Sequence, residues 1–259
     1  MLIAQRHVQI LESLSDGGRT VSDLAENFGV SESTIRRDLS ILEKEGLLKR
    51  RYGGAMLITG SRITMTDSGA VEDSLLDSDT RSDLELRKRM AKSAAGLVED
   101  GNVVILDVGS TTPLLARELL GRHVVIVTSN LAVLDVVRED SGIDLVMVGG
   151  ALRRNNQSLV GPLAEEASRK ISADIMFLSC TGVRGDFVVD DMEVEVPIKK
   201  AWIAASQKIV LLASEKKYPG TGGMQLCRLD QVDTIVTTDG TPEEIIKHRR
   251  ESGRKVIIA

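Results

Sequence analysis

Residues 28–55 read FGVSESTIRRDLSILEKEGLLKRRYGGA, and this stretch decides the fold of the first part of the chain. Gly29 suits the left-handed backbone of a tight helix stop. Two residues later, Ser31 offers a side-chain oxygen to the first unpaired amides of another helix. Ile35, Leu39 and Leu42 recur at helical spacing and form its buried stripe, so Ser33, Thr34, Arg36, Arg37 and Ser40 point largely elsewhere. Upstream, Ile3, Ile10, Leu11 and Leu14 share one helical face, and Asp16-Gly17-Gly18 ends that helix. A second helix, capped by Ser22, buries Leu24, Ala25 and Phe28. Two short helices around a glycine turn, the second with an exposed Ser/Thr/Arg face, make a helix-turn-helix.

The N-terminal part of such a recognition helix enters the major groove of DNA. An arginine there forks two hydrogen bonds onto guanine or pairs with phosphate. The hydroxyls of Ser31, Ser33, Thr34 and Ser40 reach phosphates or base edges. Leu47 to Arg51 and Ala55 to Ile58 are strand-like runs around Tyr52-Gly53-Gly54, which suggests a hairpin. As a wing, it sets Lys49, Arg50, Arg51 and Tyr52 beside the phosphate backbone. The competing reading of Arg36 and Arg37 is a solvated helix face paired with Glu32 or Asp38. A capped helix beside a basic wing favours double-stranded DNA as the partner.

The chain has 259 residues, enough for two ordinary domains, and a hydrophobic share of 42% excludes wholesale disorder. Aromatic residues make up 2%, too few for stacking on single-stranded nucleic acid. A net charge of -5 argues against coating DNA irrespective of sequence. Residues 1–58 carry eight basic and eight acidic side chains, so the acidic excess lies beyond them. Cys180 and Cys227 have neither CxxC spacing nor histidine companions, so two reduced thiols, no metal site and no cofactor are expected. There is no signal-peptide core and no apolar run of membrane length, so the expectation is a cytoplasmic protein away from the membrane.

Residues 59–80 hold five acidic residues against one arginine and few bulky apolar ones, the composition of a linker between a head at 1–58 and a domain at 81–259. Beyond it, apolar runs alternate with helical patterns. The runs are Val103 to Leu106, Val124 to Val127, Leu145 to Val148, Ile175 to Leu178, Ile209 to Leu212, Thr234 to Val236 and Val256 to Ile258. Continuous apolarity means both faces are buried, as in a Rossmann-like, open, mostly parallel sheet covered by helices. The fold class is therefore α/β. Such sheets bind ligands at loops beyond the carboxyl ends of their strands.

Asp107-Val108-Gly109-Ser110-Thr111-Thr112 lies between a strand and a helix. Free amides, glycine and three hydroxyls suit a phosphate or carboxylate, although Ser and Thr also simply cap helices. Ser129-Asn130, Gly149-Gly150 with Arg153, and Cys180-Thr181-Gly182 follow other strands in the same way. For Ser129 and Asn130 the competing reading is another helix cap. For Gly150 it is a tight turn, and for Arg153 a solvated side chain or a subunit contact.

Residues 28–55 closely resemble the signature of the DeoR family of bacterial regulators, most of all in VSESTIRRDLSILEKEGLL. The likeness covers nearly the whole chain. Tyr52 departs from it, since the family more often has His before the two glycines. The resemblance implies a sensor domain similar in fold to ribose-5-phosphate isomerase, with phosphate held at the loop matching Gly109 to Thr112. It implies effector roles for Asp174, for Glu195 and Lys199, and for Lys217. The element Ala213-Ser214-Glu215-Lys216-Lys217 matches imperfectly, because Ser214 and Glu215 replace the usual aspartate and serine. As residues alone, Asp174 could cap a turn, Glu195 and Lys199 could be a helix-face ion pair, and Lys217 could be solvated.

The expectation is a homo-oligomeric repressor of a carbohydrate-catabolism operon that binds operator DNA and a small phosphorylated sugar-like effector. It is not an enzyme. The alternative is a sugar-phosphate isomerase with a fused DNA-binding head, for which Asp107, Asp174 and Glu195 are candidate bases. A third reading is a winged helix that binds protein, and the basic residues at 36–37 and 49–51 argue against it.

Overall fold

The computed structural model describes residues 6, 10, 13, 14, 19–44, 48–51, 54–57, 81–154 and 156–259. The chain divides into two compact units, Met1–Ser78 and Asp79–Ala259. The linker expected at residues 59–80 and the wing tip Tyr52 lie outside the described residues, as do Ile3 and Leu11.

In the first unit, Arg6, Ile10 and Ser13 are helical. A short strand β1 (Arg19–Thr20) leads into α1 (Val21–Phe28), and α2 (Glu32–Lys44) follows. The hairpin β2 (Leu48–Arg51) and β3 (Gly54–Leu57) is antiparallel, with Leu48 opposite Leu57. β1 adds to the free edge of β3, which makes the wing a three-stranded sheet. The helix before the turn is capped by Thr20 rather than by Ser22. The Thr20 hydroxyl accepts the Asp23 amide at 3.1 Å and the Asp23 carboxylate accepts the Thr20 amide at 3.2 Å, a reciprocal capping box. Gly29 closes α1 at φ 61°, ψ 35°, where a side chain would be strained. Ile10, Leu14, Leu24, Ile35, Leu39, Leu42 and Leu48 are all buried in one core. A fully buried leucine contributes about 1.5–3 kcal/mol, so this stripe holds the three helices and the wing together.

In the second unit, α3 (Arg81–Ala95) precedes seven parallel strands. They are β4 (Val103–Leu106), β5 (Val124–Thr128), β6 (Ile143–Met147), β9 (Ala173–Ser179), β12 (Ser206–Leu212), β14 (Thr234–Thr237) and β15 (Lys255–Ile258). Their spatial order is β15-β14-β12-β9-β4-β5-β6. Each apolar run read from the sequence is one of these strands. Alternate residues along them enter opposite cores. Ile105, Met176, Leu178 and Leu211 join Trp202 on one face, whereas Val104, Leu106, Phe177 and Leu212 meet Met90, Ala94 and Leu115 on the other. Helices α4 (Thr112–Glu118), α5 (Leu131–Val137), α6 (Pro162–Ser168), α7 (Val196–Ala205) and α8 (Glu243–Glu251) connect the strands. Pro197 lies in the first turn of α7, where a missing amide hydrogen costs nothing.

Two antiparallel pieces supplement the sheet. One is the hairpin of β7 (Ala151–Arg153) and β8 (Ser158–Val160). The other is a three-stranded sheet of β10 (Gly182–Arg184), β11 (Phe187–Asp190) and β13 (Met224–Arg228). From β4 the chain builds outward through β5 and β6 on one side, and through β9, β12, β14 and β15 on the other. The switch point therefore lies between β4 and β9, and sheets of this topology in general bind ligands beyond the carboxyl ends of the strands at such a point.

Candidate functional site

On α2, Ser31 accepts the Thr34 amide at 3.3 Å and its hydroxyl meets those of Ser33 and Thr34 at 2.8 and 2.9 Å. Ser31, Ser33, Arg36 and Arg37 are exposed, Thr34 and Ser40 are half-buried, and Ile35, Leu39 and Leu42 are buried. The helix thus presents Ser33 and Arg37 opposite its core, with Arg36 on the flank. Arg36 donates to Glu32 at 2.6 Å, while Arg37 has no ion pair among the described residues. Asp38 is not a partner for the exposed arginines. It is buried and takes a forked pair from Arg6, at 2.6 and 3.2 Å, which ties the first helix to α2. Lys49, Arg50 and Arg51 lie on strand β2 of the wing.

At the switch point, Asp107 directly follows β4 and is 1% exposed. Its Oδ2 accepts the Ser179 amide at 2.9 Å and the Lys199 ammonium at 2.8 Å. Lys199, on α7, also reaches Asp190 Oδ2 at 2.9 Å and the Ser179 carbonyl at 3.1 Å. Beside this triad, Glu195 Oε1 accepts Arg153 at 2.6 Å and the Ser158 hydroxyl at 2.8 Å. Three carboxylates face two cations, one negative charge in excess. Burial, and to a smaller degree the Glu195 charge, push the Asp107 carboxyl up to about 6 despite the neighbouring ammonium. Burial alone would lower the Lys199 pKa, but Asp107 and Asp190 outweigh it and raise it, so Lys199 stays charged. Asp107 Oδ1 and Glu195 Oε2 are buried with no hydrogen-bond partner among the described residues. The cluster thus keeps two acceptors open.

Several expected residues sit at these strand ends with their polar atoms already engaged. The Thr112 hydroxyl donates to the Asp107 and Gly109 carbonyls at 2.7 and 3.0 Å, so it shapes the loop instead of facing outward. Asn130 caps α5 by accepting the Ala132 amide at 3.0 Å and donates to Thr112 at 3.4 Å. The Thr181 hydroxyl reaches the Thr221 carbonyl at 3.2 Å, and Gly182 opens β10. Ser129 is buried, and its carbonyl accepts the Leu159 amide at 2.9 Å. A Cβ on Gly150 would strike the Val160 carbonyl, so a glycine is required where the β7–β8 hairpin folds back. Ser110 is exposed, Gly109 half-buried and Thr111 buried. No acceptor within the described residues takes the Ser110 or Thr111 amide. Lys217, half-buried on the 3-10 turn Glu215–Lys217 after β12, makes no ion pair among the described residues.

One expected site residue lies elsewhere, and one competing reading does not hold. Asp174 does not join the cluster. It lies near the amino end of β9, level with the start of β4, and accepts the Val103 amide at 2.8 Å, so it pins the opposite edge of the sheet. Nor do Glu195 and Lys199 pair with each other. Each turns to a partner distant in sequence, because the first turn of α7 faces the hairpin and the next faces β4 and β11. Asp190 and Met192 were not legible as site residues. Met192 sulfur lies 2.6 Å from the Asn156 amide nitrogen and 3.7 Å from Arg153. The Asp190-Asp191 doublet at the end of β11 was the only signal. Cys180 and Cys227 are free and buried, and burial pushes both thiols up to about 12. Among the described residues, no helix is long and apolar enough to cross a membrane.

A family profile of the DeoR-like helix-turn-helix domain matches residues 6–61, and one of the DeoR C terminal sensor domain matches residues 82–239. The HTH-type transcriptional regulator GlpR of Haloferax volcanii is 30% identical over 260 residues, covering 100% of this chain and 98% of its own. The HTH-type transcriptional repressor CsqR of Escherichia coli K12 is 27% identical, over 98% of this chain and 94% of its own. The transcriptional repressor AccR of Agrobacterium fabrum is 28% identical, over 98% and 96%. Among solved structures, ribose 5-phosphate isomerase A from Methanocaldococcus jannaschii aligns with a TM-score of 0.39 and 21% identity, over 52% of this chain and 55% of that one. The eIF2B delta subunit of Chaetomium thermophilum gives the same TM-score at 14% identity, over 52% and 49%.

Proposed function

Since this chain belongs to the DeoR family of transcriptional regulators, we propose that it represses a carbohydrate-catabolism operon and releases or retains its operator according to a phosphorylated sugar-like metabolite. The observation that supports this reading best is the buried cluster at the switch point, with two carboxylate oxygens unpaired among the described residues and a cation, Lys217, whose charge acts on Cys180 together with those of Lys199, Asp190 and Asp107. An unsatisfied buried acceptor costs about 1–3 kcal/mol, so a ligand whose arrival turns either carboxylate toward its hydroxyl donors removes that cost. The Ser110 and Thr111 amides together with Lys217 are the groups assigned to the anionic end.

Residues 1–58 form the DNA-binding head, 59–80 the linker and 81–259 the sensor. Operator binding uses Ser31, Ser33, Thr34, Arg36, Arg37 and Ser40 on α2 and the basic strand of the wing. A homo-oligomer places two heads on half-sites separated by about 34 Å or a multiple of it. The site is read as a sensor and not as an isomerase, because Asp107 and Glu195 are each tied to a cation and the curated relatives are transcriptional regulators.

Fluorescence anisotropy on DNA from upstream of the protein's own gene tests this directly. The protein is titrated with and without a panel of sugar phosphates, each beside its unphosphorylated parent. One phosphate should change the affinity while its parent does not. DNA binding that ignores every phosphate rejects the effector class, and turnover of a sugar phosphate rejects the sensor reading. Replacing both Arg36 and Arg37 with Ala should abolish operator binding and leave ligand-induced thermal stabilisation intact.

A further inference from the structure

The two adjacent arginines of α2 are not equivalent. Arg37 has no ion pair among the described residues, whereas the Arg36 guanidinium is held at 2.6 Å by Glu32, one turn earlier. Glu32 stands in the first turn of the helix, where the positive end of the backbone dipole also favours its charge. Both partners of the pair are exposed, with side chains 57% and 46% accessible, along the flank of the stripe formed by the buried Ile35, Leu39 and Leu42. A carboxylate on a DNA-facing surface is repelled by phosphate, and core packing does not require this one. The charge balance points the same way. Eight acidic residues match eight basic ones over residues 1–58, and the whole chain carries -5, so little general attraction to DNA exists.

Taking α2 as the DNA reader, we propose that Glu32 is a specificity residue: it occupies Arg36 in the free protein and thereby suppresses binding to DNA of arbitrary sequence. For phosphate alone to take the guanidinium it must first displace an exposed pair worth about twofold in affinity, or about 0.3–0.5 kcal/mol, and then sit beside an unpaired carboxylate. A base pair that offers a donor to Glu32, such as the cytosine amino group, relieves the carboxylate and frees Arg36 together. The pair therefore penalises contacts made to the backbone only and tolerates contacts that also satisfy Glu32. Arg37 supplies the sequence-independent contact.

The test needs no knowledge of the operator. Binding of the full chain to a labelled duplex of arbitrary sequence, about 30 base pairs long, is measured by anisotropy over roughly 50–200 mM potassium chloride. Four proteins are compared: wild type, Glu32→Gln, Arg36→Ala and the double variant. Glu32→Gln should bind at least about twofold more tightly than wild type, with a log–log salt slope steeper by about one, the signature of one additional phosphate contact. In the Arg36→Ala background the same substitution should lose most of that gain. An unchanged affinity and slope for Glu32→Gln overturns the proposal. So does a gain of equal size with Arg36 absent, which would reduce Glu32 to a general repulsive charge. A wild-type protein with no salt-dependent DNA binding refutes the assignment of α2 as reader instead, so the two failures are distinguishable. Circular dichroism of each variant confirms that the exposed substitutions leave the head folded.

Discussion

Replacing Lys199 with Met would leave Asp107 and Asp190 buried without their shared counter-ion. Breaking a buried pair in this way costs about 3–5 kcal/mol, so denaturant unfolding should show a large loss in the sensor unit. Asp107 gives a second handle. Its carboxyl is raised from 3.8 to about 6 in the folded protein, so the native state binds the proton more tightly than the unfolded chain. The stabilisation from that proton is complete below pH 4 and fades as pH rises through 6. Asp107→Asn should therefore gain stability relative to wild type between pH 4 and 6, then hold a constant difference above that range. A flat difference across a pH series of unfolding curves would locate the excess proton elsewhere in the cluster. These residues were only half legible in the sequence. Asp107, Glu195 and Lys199 could be named from strand-end placement and family likeness. Arg153 could be named in the same way, but Asp190 could not, because it arrives from an antiparallel piece set by long-range pairing.

At the scale of elements, the parallel sheet could be read because each strand is buried on both faces and therefore unbroken in apolar character. β7, β8 and β10 escaped notice because runs such as Ala151-Leu152-Arg153 are three residues long and mixed in polarity. The strand β1 escaped for a related reason, since two residues carry no periodicity. Its presence shifts the helix start, which is why Thr20 and not Ser22 caps α1. Thr20→Ala should cost about 1 kcal/mol of stability in denaturant unfolding, while Ser22→Ala should cost almost nothing. Equal losses would mean that the capping box is not what starts the helix.

At the scale of the whole molecule, the first helix of the sensor unit is tied to the strand-end turn that carries Lys217. Lys216, next to Lys217 on the turn after β12, grips both carboxylate oxygens of Asp83 at 2.6 and 2.7 Å. Asp83 lies in the first turn of α3, the helix that follows residues 59–80. Lys216→Ala should leave sugar-phosphate binding and basal DNA affinity intact and reduce the change in DNA affinity that the ligand produces. An undiminished response in the anisotropy titration would exclude this pair from the route. On the proposed function, the two unpaired oxygens of the cluster would also link ligand supply to how long the protein persists in the cell. Without ligand they are an unrelieved cost, and a ligand at a hundredfold excess over its Kd would add about 2.7 kcal/mol. Proteases sample the opened chain, so starvation for the metabolite would thin out the regulator as well as silence its signal. The metabolite would then set the number of repressor molecules in each cell along with their occupancy of DNA.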